Sequence, residues 1–217
     1  MNLVFLVDTS HIQWTDIKHN CKLFKDTMVD NIKTLRSERD RCNSLIGRMI
    51  LFSYLKSKRL INNCSSITID YSNLGKPIIK GIKNLHFSIS HSSHCVVCAI
   101  SVENEIGVDV ETIKKINIHE YKSVFTDEEF FFMINSKRPI LTFYTLWTLK
   151  EALLKAIGLG FNVDPQKINV LSSPIIISSG SYYLKTIILN ENSILSTCTL
   201  NNKDVHVVEL SINDILD

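Results

Sequence analysis

Along residues 146–157 the apolar positions Leu146, Leu149, Leu153, Ala156 and Ile157 recur at the 3, 4, 7 spacing of a buried helix stripe. At ~100° per residue, Glu151 and Lys155 fall away from that stripe, one turn apart. Pro139 is placed to open this helix, and Gly158 and Gly160 supply the backbone freedom to end it, which predicts a helix over 140–158. Seen alone, Glu151 and Lys155 make an ordinary i,i+4 surface ion pair.

The same pattern reading divides the rest of the chain. Residues 2–7 read as a strand, and residues 18–60 as helical, with 40–55 the most regular part. A short β run at 67–69 leads to a turn at 73–77, where Gly75 and Pro77 bracket Lys76. Residues 85–90 alternate, with Leu85, Phe87 and Ile89 on one face and His86, Ser88 and Ser90 on the other. Strands follow at 95–102 and 105–111, and the Glu103-Asn104 step between them predicts an antiparallel hairpin. From Ile116 the pattern is helical again, with Thr126 as N-cap and Glu129 three residues on. After Asp164-Pro165, strands are expected at 168–171, 175–177, 182–189, 193–200 and 205–210. Each half thus holds a long helix and several strands. The predicted fold is α+β, a pseudo-dimer of two similar subdomains, 1–103 and 104–217, each a long helix packed on a small antiparallel sheet.

Composition changes this picture little. The 217 residues are 45% hydrophobic and 21% charged, with 7 Gly and 4 Pro, as in a compact globular protein. The first residues read as a strand rather than a signal peptide, and no apolar run approaches the ~20 residues of a membrane span. The six cysteines then read as reduced thiols in the cytoplasm. Charge is more telling: residues 1–103 carry 14 Lys/Arg against 8 Asp/Glu, and residues 104–217 carry 10 against 14. A cationic half facing an anionic half suits a polyanion bridged to a carboxylate-held cation.

Candidate chemistry lies in two runs. In GVDVE, Asp109 and Glu111 share one strand face, about 6.5–7 Å apart, an arrangement that suits a hard cation such as Mg²⁺. In HFSISHSSH, Ser88, Ser90, His91, Ser92 and Ser93 make a donor-rich strand end able to grip a phosphate. Zinc is the rival there, but a strand points Cys95 and Cys98 to opposite faces. The basic stretch Lys33–Arg48 lacks the readout residues of a nucleic-acid-binding motif, so neither nucleic acid nor membrane is expected as a partner.

Together, FSISHS at 87–92, IGVDVE at 106–111 and WTLKEALLKAIGLG at 147–160 resemble the Sfp-type 4′-phosphopantetheinyl transferases. GKP at 75–77 and the DxxxSLxG pattern at 40–47 extend the likeness over roughly residues 30–165. The resemblance implies transfer of phosphopantetheine from coenzyme A to a serine of an acidic, helical acyl or peptidyl carrier protein, by a monomer with a pseudo-twofold. It implies Mg²⁺, with Mn²⁺ as substitute, on Asp109, Glu111 and Glu151, and coenzyme A contacts from Lys76, Ser90, His91, Lys150 and Lys155. Glu151, Lys155 and Glu129 are its implied catalytic residues.

Asn43 stands where the family has an arginine facing the nucleotide, and Met28 and Asn31 where it often has basic residues. Lys33, Arg36, Arg39 or Arg41 are the candidate replacements, and a degenerate, non-catalytic binder of coenzyme A or a carrier is the alternative. Lys114, Lys115 and Lys122 are the candidate carrier-docking surface.

Overall fold

The computed structural model describes residues 1–64, 67–72, 75–158, 163–177 and 180–215. Its first half comprises β1 (Asn2–Asp8), α1 (Trp14–Ile17), α2 (Asp26–Lys33), α3 (Glu38–Ser57), β2 (Ile69–Tyr71), β3 (Pro77–Ile79), β4 (His86–Ser92) and β5 (Cys95–Ser101). The second comprises β6 (Ile106–Thr112), α4 (Asp127–Ile134), α5 (Pro139–Ile157), β7 (Ile175–Ile177), β8 (Gly180–Asn190), β9 (Ser193–Leu200) and β10 (Val205–Leu210). One sheet has the order β10-β1-β5-β4 and another β6-β9-β8-β7, with β2 and β3 as a separate pair. Among the described residues no helix is long and apolar enough to cross a membrane.

The two long helices cover the outer faces of the two four-stranded sheets. Leu45, Ile46, Met49 and Ile50 of α3 share a core with Phe87, Val96, Cys98 and Ile100 of β4 and β5. Phe143, Leu146, Leu149, Leu153 and Ala156 of α5 share another with Tyr182, Ile194 and Cys198. Between the sheets lies a third, smaller core, in which Val4, Val97 and Ala99 meet Ile106, Val108, Val110 and Leu195. Helix-on-sheet packing is therefore as expected in each half. The first sheet is mixed rather than antiparallel, however, because β10 pairs in parallel with β1. That last strand belongs to the second half by sequence and to the first half's sheet by pairing.

Helix boundaries follow local chemistry. Pro139 occupies the first turn of α5, and Gly158 closes it at φ 73° with its amide on the Leu154 carbonyl. Gly160 and Phe161, and Asn73 and Leu74 of the expected turn, lie outside the described residues. The helix expected over 18–60 is interrupted: a 3-10 turn at Lys18–Leu23, α2 and α3 replace it. The Ser37 side chain accepts the Asp40 amide and starts α3 afresh.

The expected hairpin of β5 and β6 does not form. β5 pairs with β1 and β4, whereas β6 pairs with β9. The Ser101 hydroxyl accepts the amides of Glu103 and Asn104, so this link turns the chain from one sheet into the other. The hairpin in this region is β4–β5, turning at Ser93-His94 with Ser93 at φ 48°. Nor are residues 168–171 a strand. The Ile168 carbonyl and Val170 amide bond the Lys150 and Glu129 side chains instead of a neighbouring strand.

Gly107 fixes how α5 meets β6. A Cβ there would lie 1.9 Å from the Ala152 carbonyl oxygen and 2.6 Å from the Ala156 nitrogen. Helix backbone rests directly on strand backbone, as only glycine permits.

Candidate active site

Alternation along β6 sends Val108 and Val110 into the inter-sheet core and turns Asp109 and Glu111 the other way, towards α5. Glycine contact at position 107 with Ala152 and Ala156 then sets the residues just before them, Glu151 and Lys155, beside those carboxylates. β4 runs alongside as the edge of the other sheet. Its Ser88, Ser90 and Ser92 side chains bridge the gap where no backbone ladder forms. Ser88 Oγ accepts the Val108 amide at 3.1 Å, and Ser92 Oγ accepts the Thr112 amide at 3.0 Å. Ser90 Oγ donates to Asp109 Oδ1 at 2.7 Å and Ser92 Oγ to Glu111 Oε2 at 2.8 Å. This hydroxyl seam satisfies edge amides of β6 and aims its two carboxylates.

Asp109 is 4% exposed. Its Oδ1 takes Lys155 Nζ at 2.7 Å as well as Ser90, and the same ammonium lies 3.0 Å from Ser90 Oγ. Its Oδ2 is buried and has no protein partner. Burial pushes Glu111 above the usual carboxylate range; Ser92 opposes this and the Asp109 charge adds to it. Burial likewise raises Glu151, with Asp109 and Glu111 adding repulsion and Lys155 offsetting part. Three carboxylates of the expected set thus act on one another, although among the described residues no three His, Cys, Asp or Glu side chains are already gathered as a metal-binding group in the positions they hold here. The donor chemistry fits a hard dication: three carboxylates in mutual repulsion, one with a buried oxygen lacking any partner.

Ser90 and His91, adjacent in sequence, point to opposite faces of β4. Ser90 serves the carboxylates, while His91 faces α3. Burial lowers the His91 pKa; Lys155 and Arg48 add to that, and Asp40 and Asp109 oppose it. Arg48 lies on the same side and is itself lowered by burial. Its Nη1 donates to the Ser44 carbonyl at 2.8 Å, but its buried Nε has no partner. Between α5, β3 and β4 opens a cleft of about 230 Å³, walled by Gly75, Lys76, Ser88, Ile89, Lys155 and Gly158.

Other expected site residues are used differently. Glu129 and Lys150 are 0% and 2% exposed and pair with each other at 2.8 Å. Glu129 accepts the amides of Thr126 and Val170, and Lys150 donates to the carbonyls of Pro165 and Ile168. With these bonds made inside the protein, the pair braces the segment after α5 and is not brought to Asp109. Asn43, 1% exposed, accepts from Thr9 Oγ1 and donates to the Ser93 carbonyl, both at 2.9 Å. It ties α3 to the loops that hold Thr9 and Ser93. Arg39 bonds the Thr9 and Ile12 carbonyls, and Arg41 the Leu35 carbonyl and Glu38, so neither is a free replacement. Lys76 lines the cleft, but its ammonium pairs with Glu105 and donates to the Ala156 carbonyl at 2.7 Å. Burial alone would lift Glu105; hydrogen bonds from His86 and Lys76 outweigh it and hold the carboxyl at about 2.

Sequence reasoning missed Ser92 as the partner of Glu111, Arg48 beside His91, and Gly107. The serine alternation on β4 was the available signal for the first, and a lone glycine inside a strand for the last.

The family model described as the 4′-phosphopantetheinyl transferase superfamily matches residues 105–202. The chain is 34% identical over 127 residues to the 4′-phosphopantetheinyl transferase gsp of Aneurinibacillus migulanus, covering 58% of this chain and 52% of that one. It is 29% identical to 4′-phosphopantetheinyl transferase Sfp of Bacillus subtilis, covering 60% of this chain and 58% of that one. With the L-aminoadipate-semialdehyde dehydrogenase-phosphopantetheinyl transferase of Candida glabrata the identity is 28%, over 75% and 69% of the two chains. The chain thus spans little more than half the length of the two bacterial relatives.

Proposed function

From the match of residues 105–202 to the 4′-phosphopantetheinyl transferase superfamily, we propose that this protein moves the 4′-phosphopantetheine group of coenzyme A onto a serine hydroxyl of an acyl or peptidyl carrier protein, releasing 3′,5′-ADP. The observation that carries the reading is Asp109: a buried carboxylate with one oxygen held by Ser90 and Lys155 and the other without a partner, at the seam of the two halves.

The reaction's difficulty is to bring a neutral hydroxyl onto phosphorus already surrounded by negative oxygens. Asp109, Glu111 and Glu151 are the side chains that would hold Mg²⁺, or Mn²⁺ in its place, which supplies charge neutralisation of the pyrophosphate. Lys155, partly exposed and beside the cleft, offers its ammonium to the phosphate that leaves with the nucleotide. Arg48 on α3 adds a guanidinium and His91 on β4, kept towards its neutral form by burial, a hydrogen-bonding ring, and the two take the nucleotide's remaining phosphate. Glu151, at the edge of that carboxylate group, is placed to receive the serine proton, directly or through a water it orients.

On the far side of Glu111 a second cavity, about 290 Å³, is lined by Lys114, Ile116, Tyr121, Tyr144 and Trp147. The carrier approaches there, and Lys114, Lys115 and Lys122 complement its acidic surface. With one site built from residues of both 1–103 and 104–217, a single chain is self-sufficient: a monomer of pseudo-twofold design, working in the cytoplasm. Intact mass of an apo carrier incubated with coenzyme A, Mg²⁺ and this protein tests the reading. The expected gain is one phosphopantetheine, lost on chelation; an unchanged carrier mass across fatty-acid, polyketide and peptidyl carriers overturns it.

A further inference from the structure

We propose that Lys155 is a built-in counter-ion that competes with the divalent cation for Asp109, so that the cation site is held partly closed until a phosphate-bearing ligand draws the lysine away. The proposal rests on the functional reading above and concerns how that site is regulated. Lys155 Nζ lies 2.7 Å from Asp109 Oδ1 and 3.0 Å from Ser90 Oγ, and Ser90 in turn donates to the same carboxylate oxygen. The ammonium is therefore bound to the carboxylate at charge-assisted hydrogen-bond distance and seated by a third group. Its charge also acts on Glu111 and Glu151, the other two carboxylates of the group.

A dication entering among these carboxylates meets a positive charge already bonded to one of them. It must either push the ammonium back or accept close repulsion, and both weaken binding. Lys155 has somewhere to go. Its side chain is 30% exposed and lines the cleft shared with Lys76 and Ser88, so an anion lodged in that cleft offers it a second partner. Asp109, 6% exposed at its side chain, cannot follow. The equilibrium between the two positions of Lys155 thus couples anion binding to cation binding, and linkage makes the coupling reciprocal.

Removing the lysine should therefore tighten the cation site in the absence of nucleotide, the opposite of what a purely phosphate-binding lysine predicts. Mn²⁺ binding followed by electron paramagnetic resonance, with no coenzyme A present, should be about tenfold tighter in Lys155→Met, the scale of one charge-assisted hydrogen bond no longer to be broken. Lys155→Arg, which keeps the charge, should stay near the wild-type affinity. Lys137→Met, an exposed change of the same net charge, should do likewise. Unchanged or weaker Mn²⁺ binding in Lys155→Met overturns the counter-ion role while leaving the transfer reading standing. Failure of the wild-type chain to bind Mn²⁺ even with coenzyme A overturns both. Should the methionine variant not fold, wild-type protein with ¹³C-methylated lysines gives the same answer. The signal missing from Lys155→Arg must shift when Mg²⁺ is added alone, and a fixed signal sinks the proposal.

Discussion

Helix α5 carries two lysine–carboxylate pairs little more than a turn apart, and they are opposites. Lys150 and Glu129 sit in the core at 2% and 0% exposure, with the surrounding amides and carbonyls completing the bonding of both. Lys155 and Asp109 lie at the seam, with the lysine 30% exposed at its side chain and one carboxylate oxygen buried without a partner. A saturated ion pair is architecture: breaking it leaves a buried charge, and nothing can be added to it. An unsaturated pair stores binding capacity. The difference lies in what surrounds the charges, since residue types and separation are nearly the same.

Glu129→Ala is the sharpest way to break the comparison. Stranding Lys150 in the core should cost about 3–5 kcal/mol in a denaturant titration, with transfer per folded molecule little changed. Asp109→Asn should do the reverse. Activity should fall by at least ~10²-fold in the carrier-mass assay while the thermal midpoint moves by only a few degrees. If the two variants behave alike, the contrast is wrong.

Acid titration gives the smallest and most discriminating effect. Glu111 and Glu151 are raised in the metal-free fold, so there they take up protons at a higher pH than in the unfolded chain; protons then compete with the cation, and transfer at limiting Mg²⁺ should decline on the acid side before ordinary carboxylates titrate. Their protonation does not itself destabilise the fold, since the folded state binds those protons more tightly. Glu105 has the opposite sign: its stabilising contribution is complete above 4.5 and disappears as pH falls towards about 2. Activity should therefore be lost at a higher pH than stability, and Glu105→Gln should remove part of the acid-side loss of stability without moving the activity limb.

What the sequence made legible were features carried by nearby residues. Helix α5, with its apolar stripe and its proline and glycine ends, is local, as is the Thr126–Glu129 cap. Asp109 and Glu111 on one strand face follow from alternation alone. The pairing of strands was less accessible, because Val97, Ala99, Val108 and Val110 would suit either a hairpin or two sheets face to face. A short link cannot decide between them. The role of Glu129 was hidden for a similar reason: its capping bond is three residues away, but the bonds to Lys150 and Val170 that bury it reach 21 and 41 residues along the chain. Asn43 reads as a lost cationic contact until Thr9 and Ser93 are seen on either side of its amide.

The serines of β4 have one more implication. A backbone ladder between two edges tolerates a slip of two residues, because every rung looks alike; only side chains reveal the shift. Here Ser88 and Ser92 hold amides of β6 while Ser90 and Ser92 hold its carboxylates, so structural and chemical rungs are interleaved along one edge. A slip of about 7 Å would offer the hydroxyls equivalent amides but the wrong acids. The two halves are in effect graduated against each other like the scales of a vernier, and alignment of the acids is the reading.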